Sequence, residues 1–203
     1  MLPGDLNDIT VLAYRNNFDT YIKKTESEVS GELKEWIDDY AKLLPVNGRV
    51  FELGSASGRD AEYLQGLGFD VFCTDIVDEA LTSLAEKGFR AEVYDFRDIP
   101  KDEWKHAFDG YFANAVLLHA PKHIFEQALL YTHMILKKGG VAMITFKKGM
   151  GQEMVLDKLG APRYFKYHNE ETLKEAISKA PFEVISITHS KDDKFIKLVA
   201  RAL

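Results

Sequence analysis

The segment Val50-Phe51-Glu52-Leu53-Gly54-Ser55-Ala56-Ser57-Gly58-Arg59-Asp60 holds the densest chemical signal in the chain. A strand-sized apolar run enters a loop with two glycines and leaves as a helix. Glycine lets the backbone turn through positive φ and lets a ligand approach the main chain closely. The helix that follows offers free N–H groups and the positive end of its dipole. Three loop chemistries can be tested against these residues. A P-loop needs Gly-Lys-Ser/Thr, and none follows. A hydrolase nucleophile elbow needs serine midway between the glycines, where Ala56 stands. A dinucleotide loop counted from Gly54 needs small residues at positions 56 and 59, and Arg59 is too large for close helix–strand packing. What remains is acidic-x-Gly-x-x-x-Gly, formed by Glu52, Gly54 and Gly58. Its bland reading is a plain strand-to-helix turn.

Other residues suited to chemistry lie downstream. Asp75 ends the next apolar run about 20 residues past the glycine loop, where an acidic side chain can accept two hydrogen bonds from ribose hydroxyls. A cap for the helix after Asp78 is the alternative. His119, just before Pro121, can orient a substrate or take a proton, or serve as a structural hydrogen-bonding residue. Lys147 borders the expected pocket, although lysines there are usually solvated. Arg163-Tyr164-Phe165-Lys166-Tyr167-His168 either lines a substrate pocket as a lid or forms an exposed edge with its aromatics packed inward. Tyr14 and Tyr21 lie seven apart and share a helix face. Their rings could attract a cation or simply pack on the domain. His119 and His123 have helical spacing, but Pro121 intervenes and no further ligand is near, so no metal site is predicted. Cys73 lies inside a strand and reads as buried core rather than a nucleophile.

These residues need a frame. Periodicity predicts two N-terminal helices, Asn7–Lys23 and Glu26–Leu44. Strands follow at Arg49–Leu53, Phe69–Thr74, Arg90–Tyr94, Phe108–Ala113 and Gly140–Phe146. Helices are expected between them at Asp60–Leu67, Asp78–Lys87 and Lys122–Leu136, with a last one at Glu170–Lys179. Phe182–Thr188 and Phe195–Arg201 are joined too closely for a crossover helix, so they should pair antiparallel. The expected fold is α/β: a Rossmann-like, seven-stranded, mostly parallel sheet with helices on both faces and an antiparallel C-terminal hairpin. Residues 1–203 are expected to form one domain, with 1–45 as a helical cap and 46–203 as the core.

The glycine loop, Asp75, Tyr94-Asp95-Phe96, the run from Asp109 to His119 and the turn Leu136–Val141 occur at strand ends in order. With Tyr14 and Tyr21 ahead of them, they resemble class I S-adenosylmethionine-dependent methyltransferases, in particular the small-molecule branch. The resemblance runs from Tyr14 to Arg201. It implies S-adenosyl-L-methionine as cofactor. Glu52, Gly54, Ser55, Ala56 and Gly58 would wrap its amino-acid portion, and Asp75 with Ile76 would hold the ribose. Asp95 and Phe96 would meet the adenine, Asn114 and Ala115 the methionine portion, and Tyr21 would lie over the cofactor. Tyr14, His119, Lys147, Arg163 and Tyr164 would face the substrate, with His119 as the catalytic candidate. Two departures stand out: Ala56 replaces the middle glycine of the family's fuller motif, and Phe18 replaces a small residue between the tyrosines.

The implied function is methyl transfer to a small molecule. Rival readings are a non-catalytic module binding S-adenosylmethionine or S-adenosylhomocysteine, a nicotinamide-dependent oxidoreductase, and a methyltransferase acting on nucleic acid or protein. A net charge of -6 repels phosphate backbones on average, so no nucleic-acid substrate is expected. With 46% hydrophobic and 29% charged residues the composition is that of a globular protein. A lone cysteine suits a reducing compartment, no secretory signal or membrane span is read, and a cytoplasmic monomer or homodimer is expected.

Overall fold

The computed structural model describes residues 5–156 and 159–203. It opens with helices α1 (Leu6–Asn16), α2 (Phe18–Lys23) and α3 (Gly31–Ala41). The alternating part runs β1 (Arg49–Leu53), α4 (Arg59–Gly66), β2 (Asp70–Asp75), α5 (Asp78–Glu86), β3 (Ala91–Val93), β4 (Phe108–Asn114), α6 (Lys122–Ile135) and β5 (Leu136–Lys147). Then come β6 (Gln152–Leu156), β7 (Pro162–Lys166), α7 (Glu170–Ile177), β8 (Phe182–His189) and β9 (Phe195–Ala202).

Seven strands form one sheet in the order β3-β2-β1-β4-β5-β9-β8. β3, β2, β1, β4 and β5 run parallel, and β9 pairs antiparallel with both β5 and β8. The mostly parallel sheet with its closing hairpin is as expected. The chain starts at the centre with β1, moves out to β3, then returns to β4 on the other side. Connections leaving β1 and β4 therefore diverge. An open α/β sheet leaves its crevice at such a point, outside the carboxyl ends of the strands.

Both faces are covered because neighbouring residues on a strand point to opposite sides. Val50, Phe112 and Met143 pack with Ile37 and Tyr40 of α3, Leu64 of α4 and Leu84 of α5. Phe51, Tyr111 and Ile144 face the other way, among Trp104, Phe125 and Leu129. Phe51 is the hub of an aromatic cluster, stacked on Tyr111 at 5.7 Å and edge-on to Trp104 at 5.4 Å. Tyr40 ties α3 to the sheet by donating its hydroxyl to the carbonyls of Tyr111 and Val141 at 3.2 and 3.3 Å. Cys73 is fully buried, as expected for a core residue. Among the described residues, no helix is long and apolar enough to cross a membrane.

The structure departs from the expectation in four places. The first helix is broken at Asn17, whose side-chain amide donates to the Ala13 carbonyl at 2.9 Å and so competes with the helical ladder. The next helix starts at Gly31 rather than Glu26, with the backbone still extended at Ser30. β5 begins at Leu136, directly after α6, so Gly139 lies within the strand instead of ahead of it. A second sheet, β6–β7, was not anticipated. It presses against α1 and carries the buried residues Arg163, Tyr164 and Phe165.

Candidate functional site

A cavity of about 800 Å³, counting its open mouth, lies at the carboxyl ends of the parallel strands under α1 and α2. Its floor is Leu53, Gly54 and Ala56 after β1, and Asp75, Ile76 and Val77 after β2. Tyr94, Asp95, Phe96 and Arg97 line the side after β3, and Asn114, Ala115, Val116 and His119 the side after β4. Asn7, Thr10, Val11, Tyr14, Phe18 and Tyr21 form the roof.

The glycine loop owes its shape to main-chain demands. Gly54 sits at φ +70°, and a Cβ there would stand 2.5 Å from Val116 Cγ2. The amides of Gly54 and Ser55 both donate to the Thr74 carbonyl, at 2.8 and 2.9 Å. Ala56, also at positive φ (49°), donates its N–H to Asp75 Oδ2 at 2.9 Å. Val77 N–H donates to Asp75 Oδ1 at 2.9 Å. One carboxylate therefore fixes both the loop after β1 and the residue ahead of α5, but it does not cap that helix, whose N-cap is Val77 without a side-chain bond. A carboxylate offers about four lone-pair sites, so these bonds do not exhaust it. Burial raises the Asp75 pKa, while the Val77, Ala56 and Ile76 amides oppose the rise.

The tip of β4 is held by a row of polar groups. Ala115 takes φ 57°, and its N–H donates to Thr145 Oγ1 at 2.9 Å. Thr145 donates to Asn114 Oδ1 at 2.6 Å, and Asn114 Nδ2 donates to Asp60 at 2.8 Å. Arg59 completes the row with Nε 2.7 Å from the other Asp60 oxygen. The arginine that rules out a dinucleotide loop thus orients the carboxylate that positions Asn114.

Asp95 is gripped by Arg97, whose Nε and Nη2 donate to it at 2.6 to 3.0 Å. Arg97 Nη1 reaches Asp5 at 3.0 Å and Asp8 at 2.8 Å. This guanidinium fastens the start of α1 to the loop after β3, across the cavity mouth.

Tyr14, Tyr21, Gly54, Ala56, Asp75, Ile76, Asp95, Phe96, Asn114, Ala115 and His119 all meet on the cavity wall. Six expected residues lie off it. Glu52 and Ser55 are buried beneath the loop. Gly58 is the left-handed N-cap of α4 (φ 82°) and faces Leu84 of α5, 2.9 Å from where its Cβ would be. Lys147 holds its ammonium 4.0 Å over the Phe165 ring. Tyr164 donates its hydroxyl to Gln152 at 2.8 Å, and Arg163 packs its guanidinium on the Tyr14 ring, 5.0 Å away. The Arg163–His168 segment therefore takes the inward-packed course and reaches the cavity through Tyr14.

Glu52 carries a testable consequence. It is 2% exposed, with Cys73 Sγ 3.8 Å from Oε2. Burial, reinforced by the nearby Asp60 carboxylate, pushes its pKa from 4.5 up to about 8, against the hydrogen bond from Cys73. Between these values the folded chain holds a proton that the unfolded chain has released. The stability from this group is complete below the lower value and declines as pH rises to the upper one. Glu52→Gln removes that dependence. Chemical denaturation from pH 5 to 8 should show wild type losing stability relative to the variant, by at most about 1.4 kcal/mol per pH unit. A constant difference would contradict a neutral Glu52.

Sequence reasoning overlooked Asn7, Thr10, Val11, Tyr94 and Arg97. The roof was legible: Asn7, Thr10, Val11, Tyr14, Phe18 and Tyr21 recur at helical spacing and mark a stripe. For Arg97 no pattern existed, because its partners Asp5 and Asp8 are distant in sequence.

Residues 51–144 match the family model of the methyltransferase domain. Comparison with curated proteins finds no sequence match. Among solved structures, the CcbJ methyltransferase from Streptomyces caelestis is similar at 17% identity, TM-score 0.76, over 96% of this chain and 99% of that one. The 1,6-didemethyltoxoflavin-N1-methyltransferase of Burkholderia thailandensis, holding 1,6-didemethyltoxoflavin and S-adenosylhomocysteine, is similar at 18% identity, TM-score 0.71, over 100% of this chain and 92% of that one. The [4+2]-cyclase SpnF has the same fold at 13% identity, TM-score 0.73, over 98% and 96%. At such identities the likeness speaks for the fold alone. Residues 51–144 match a methyltransferase domain, within a fold shared with solved S-adenosylmethionine-dependent methyltransferases.

Proposed function

We propose that the cavity binds S-adenosylmethionine and that the chain transfers its methyl group to a small-molecule acceptor. The observation that carries this reading is the convergence on one cavity of the Gly54–Ala56 turn, the Asp75 and Asp95 carboxylates and the aromatic roof. The residues fit such a group. Asp75 has acceptor capacity left for ribose hydroxyls. Asp95 and Phe96 offer an acceptor and an apolar face to adenine. Asn114 and Ala115 border the methionine portion, with Tyr21 above. Glu52, Ser55 and Gly58 act by supporting the loop from beneath.

When bound, the cofactor supplies an electrophilic methyl on a sulfonium. The chain's own part is binding, alignment and exclusion of water. Alignment of two reactants alone can lower a barrier by roughly 7–11 kcal/mol. The roof formed by α1 and α2 closes the cavity, with the Arg97 ion pairs and the β6–β7 hairpin bracing it. His119 is the wall residue best suited to take a proton. Lys147, Arg163 and Tyr164 influence the substrate through Phe165 and Tyr14.

A small acceptor is favoured because the roof lies across the strand ends. The solved Burkholderia relative, which holds a small molecule, points the same way. The net charge of -6 argues against nucleic acid. We read the chain as one domain, with the N-terminal helices as its cap, acting in the cytoplasm as a monomer or homodimer. The experiment is single-turnover transfer from labelled S-adenosylmethionine to phenol, thiophenol, benzylamine and benzoate. It is paired with mass spectrometry of ligands retained on the purified protein. Methylated product or a retained adenosyl ligand is expected. Retained nicotinamide dinucleotide with no transfer would overturn the reading.

A further inference from the structure

Three segments far apart in the chain bring a phenol, an imidazole and a guanidinium into one row at the cavity wall. The His119 ring nitrogen Nδ1 lies 2.6 Å from the Tyr164 carbonyl oxygen. A carbonyl can only accept, so Nδ1 carries a proton, and in the neutral tautomer this leaves Nε2 with a lone pair. Nε2 is 3.0 Å from Tyr14 Oη. In that tautomer the phenol donates to the imidazole. Arg163 Nη1 donates to that same phenol oxygen. His119 and Arg163 are 6% and 4% exposed, while Tyr14 and His119 both line the cavity.

We propose that Tyr14 and His119 are a proton-accepting couple for the methyl acceptor, that Arg163 positions and polarises Tyr14, and that the acceptor atom is one that arrives protonated, a hydroxyl or an N–H. The proposal rests on the methyltransferase reading. Docking alone does not need this row. The Asn7 side chain donating to the His119 carbonyl at 2.8 Å and the Tyr164 amide donating to Thr10 at 2.9 Å already hold α1 to the turn after β4 and to β7. The aligned row adds direction. The phenol proton is aimed at a lone pair, and the oxygen losing it faces a positive charge in a poorly solvated place, where electrostatic stabilisation is strong.

In the step, the acceptor atom forms its new bond to the methyl carbon with its own electron pair, and sulfur keeps the pair of the bond that breaks. The acceptor's proton passes to Tyr14 Oη as the phenol proton passes to His119 Nε2. The positive charge that leaves sulfur ends on the imidazolium, and the protein then releases that proton to solvent.

The test has two readouts. In histidine-selective nitrogen-15 NMR of the S-adenosylhomocysteine complex, His119 is expected with Nδ1 protonated and Nε2 bare. Tyr14→Phe should shift the Nε2 resonance and leave Nδ1 in place. Single-turnover transfer then separates chemistry from structure. Tyr14→Phe and His119→Gln should slow methylation of phenol by about 10²–10⁴-fold, with S-adenosylhomocysteine affinity changed less than about threefold. Transfer to thiophenol, whose thiol ionises unaided, should slow far less than transfer to phenol. Arg163→Lys should retain more phenol transfer than Arg163→Gln. An Nε2-protonated or doubly protonated His119 in the wild type would overturn the proposal, as would variants that slow phenol and thiophenol equally. Failure of the wild-type protein to bind S-adenosylhomocysteine would instead defeat the parent reading.

Discussion

Asp75→Ala is expected to weaken binding of S-adenosylhomocysteine by about 10²–10⁴-fold. The magnitude follows from two ribose hydroxyls, each losing a hydrogen bond to a charged acceptor of about 1.5–3 kcal/mol. The structure adds a second cost. Ala56 N–H and Val77 N–H would lose the carboxylate that now receives both, and the unsatisfied amides should lower stability by about 1–3 kcal/mol. That leaves a domain of ordinary stability folded. Asp75→Asn separates the effects, since it keeps one acceptor oxygen and the shape while removing the charge. Titration calorimetry and chemical denaturation on both variants give the measurement. A dissociation constant for Asp75→Ala within about threefold of wild type would refute the ribose role, because that change is far below the two bonds at issue.

Gly54→Ala is expected to abolish binding at accessible ligand concentrations and to cost about 2–5 kcal/mol of stability, combining a left-handed backbone penalty with overpacking. The residue sits at φ +70°, and its Cβ would stand 2.5 Å from Val116 Cγ2. Relief requires either the loop or Val116 to move, and both line the cavity. Gly58→Ala is the matched control. It has φ +82° and a Cβ 2.9 Å from Leu84 Cδ2, so it meets comparable strain, but on the α5 side. It should lose stability without a comparable loss of affinity. If Gly58→Ala weakened binding as much as Gly54→Ala, the loss would reflect global destabilisation, and the cavity-facing role of Gly54 would fail.

The sheet and the strand-end residues were legible because parallel strands buried on both faces leave short apolar runs, and because ligand residues at a switch point follow those runs directly. Gly54 and Asp75, which line the cavity, stood out that way, whereas Asp95 and Asn114 came from the resemblance. The β6–β7 hairpin was hidden: Gln152–Leu156 is mostly exposed, and Pro162–Lys166 reads as easily for a lid as for a strand. The partnership of Tyr14 with His119 and Arg163 lay beyond local pattern, since it joins residues separated by 105 and 149 positions. Glu52 misled for another reason. Its place in the motif is right, but its side chain alternates to the face under the loop, where burial keeps it protonated rather than free to bind a ligand.

The account depends on the cavity's preference for an adenosyl sulfonium over a nicotinamide dinucleotide. Titration calorimetry of the wild-type protein with S-adenosylmethionine, S-adenosylhomocysteine and NAD measures that preference directly. Saturable one-to-one binding of both adenosyl ligands, lost in Gly54→Ala, with no heat from NAD is the predicted result. Binding of NAD with none of the adenosyl ligands would contradict it.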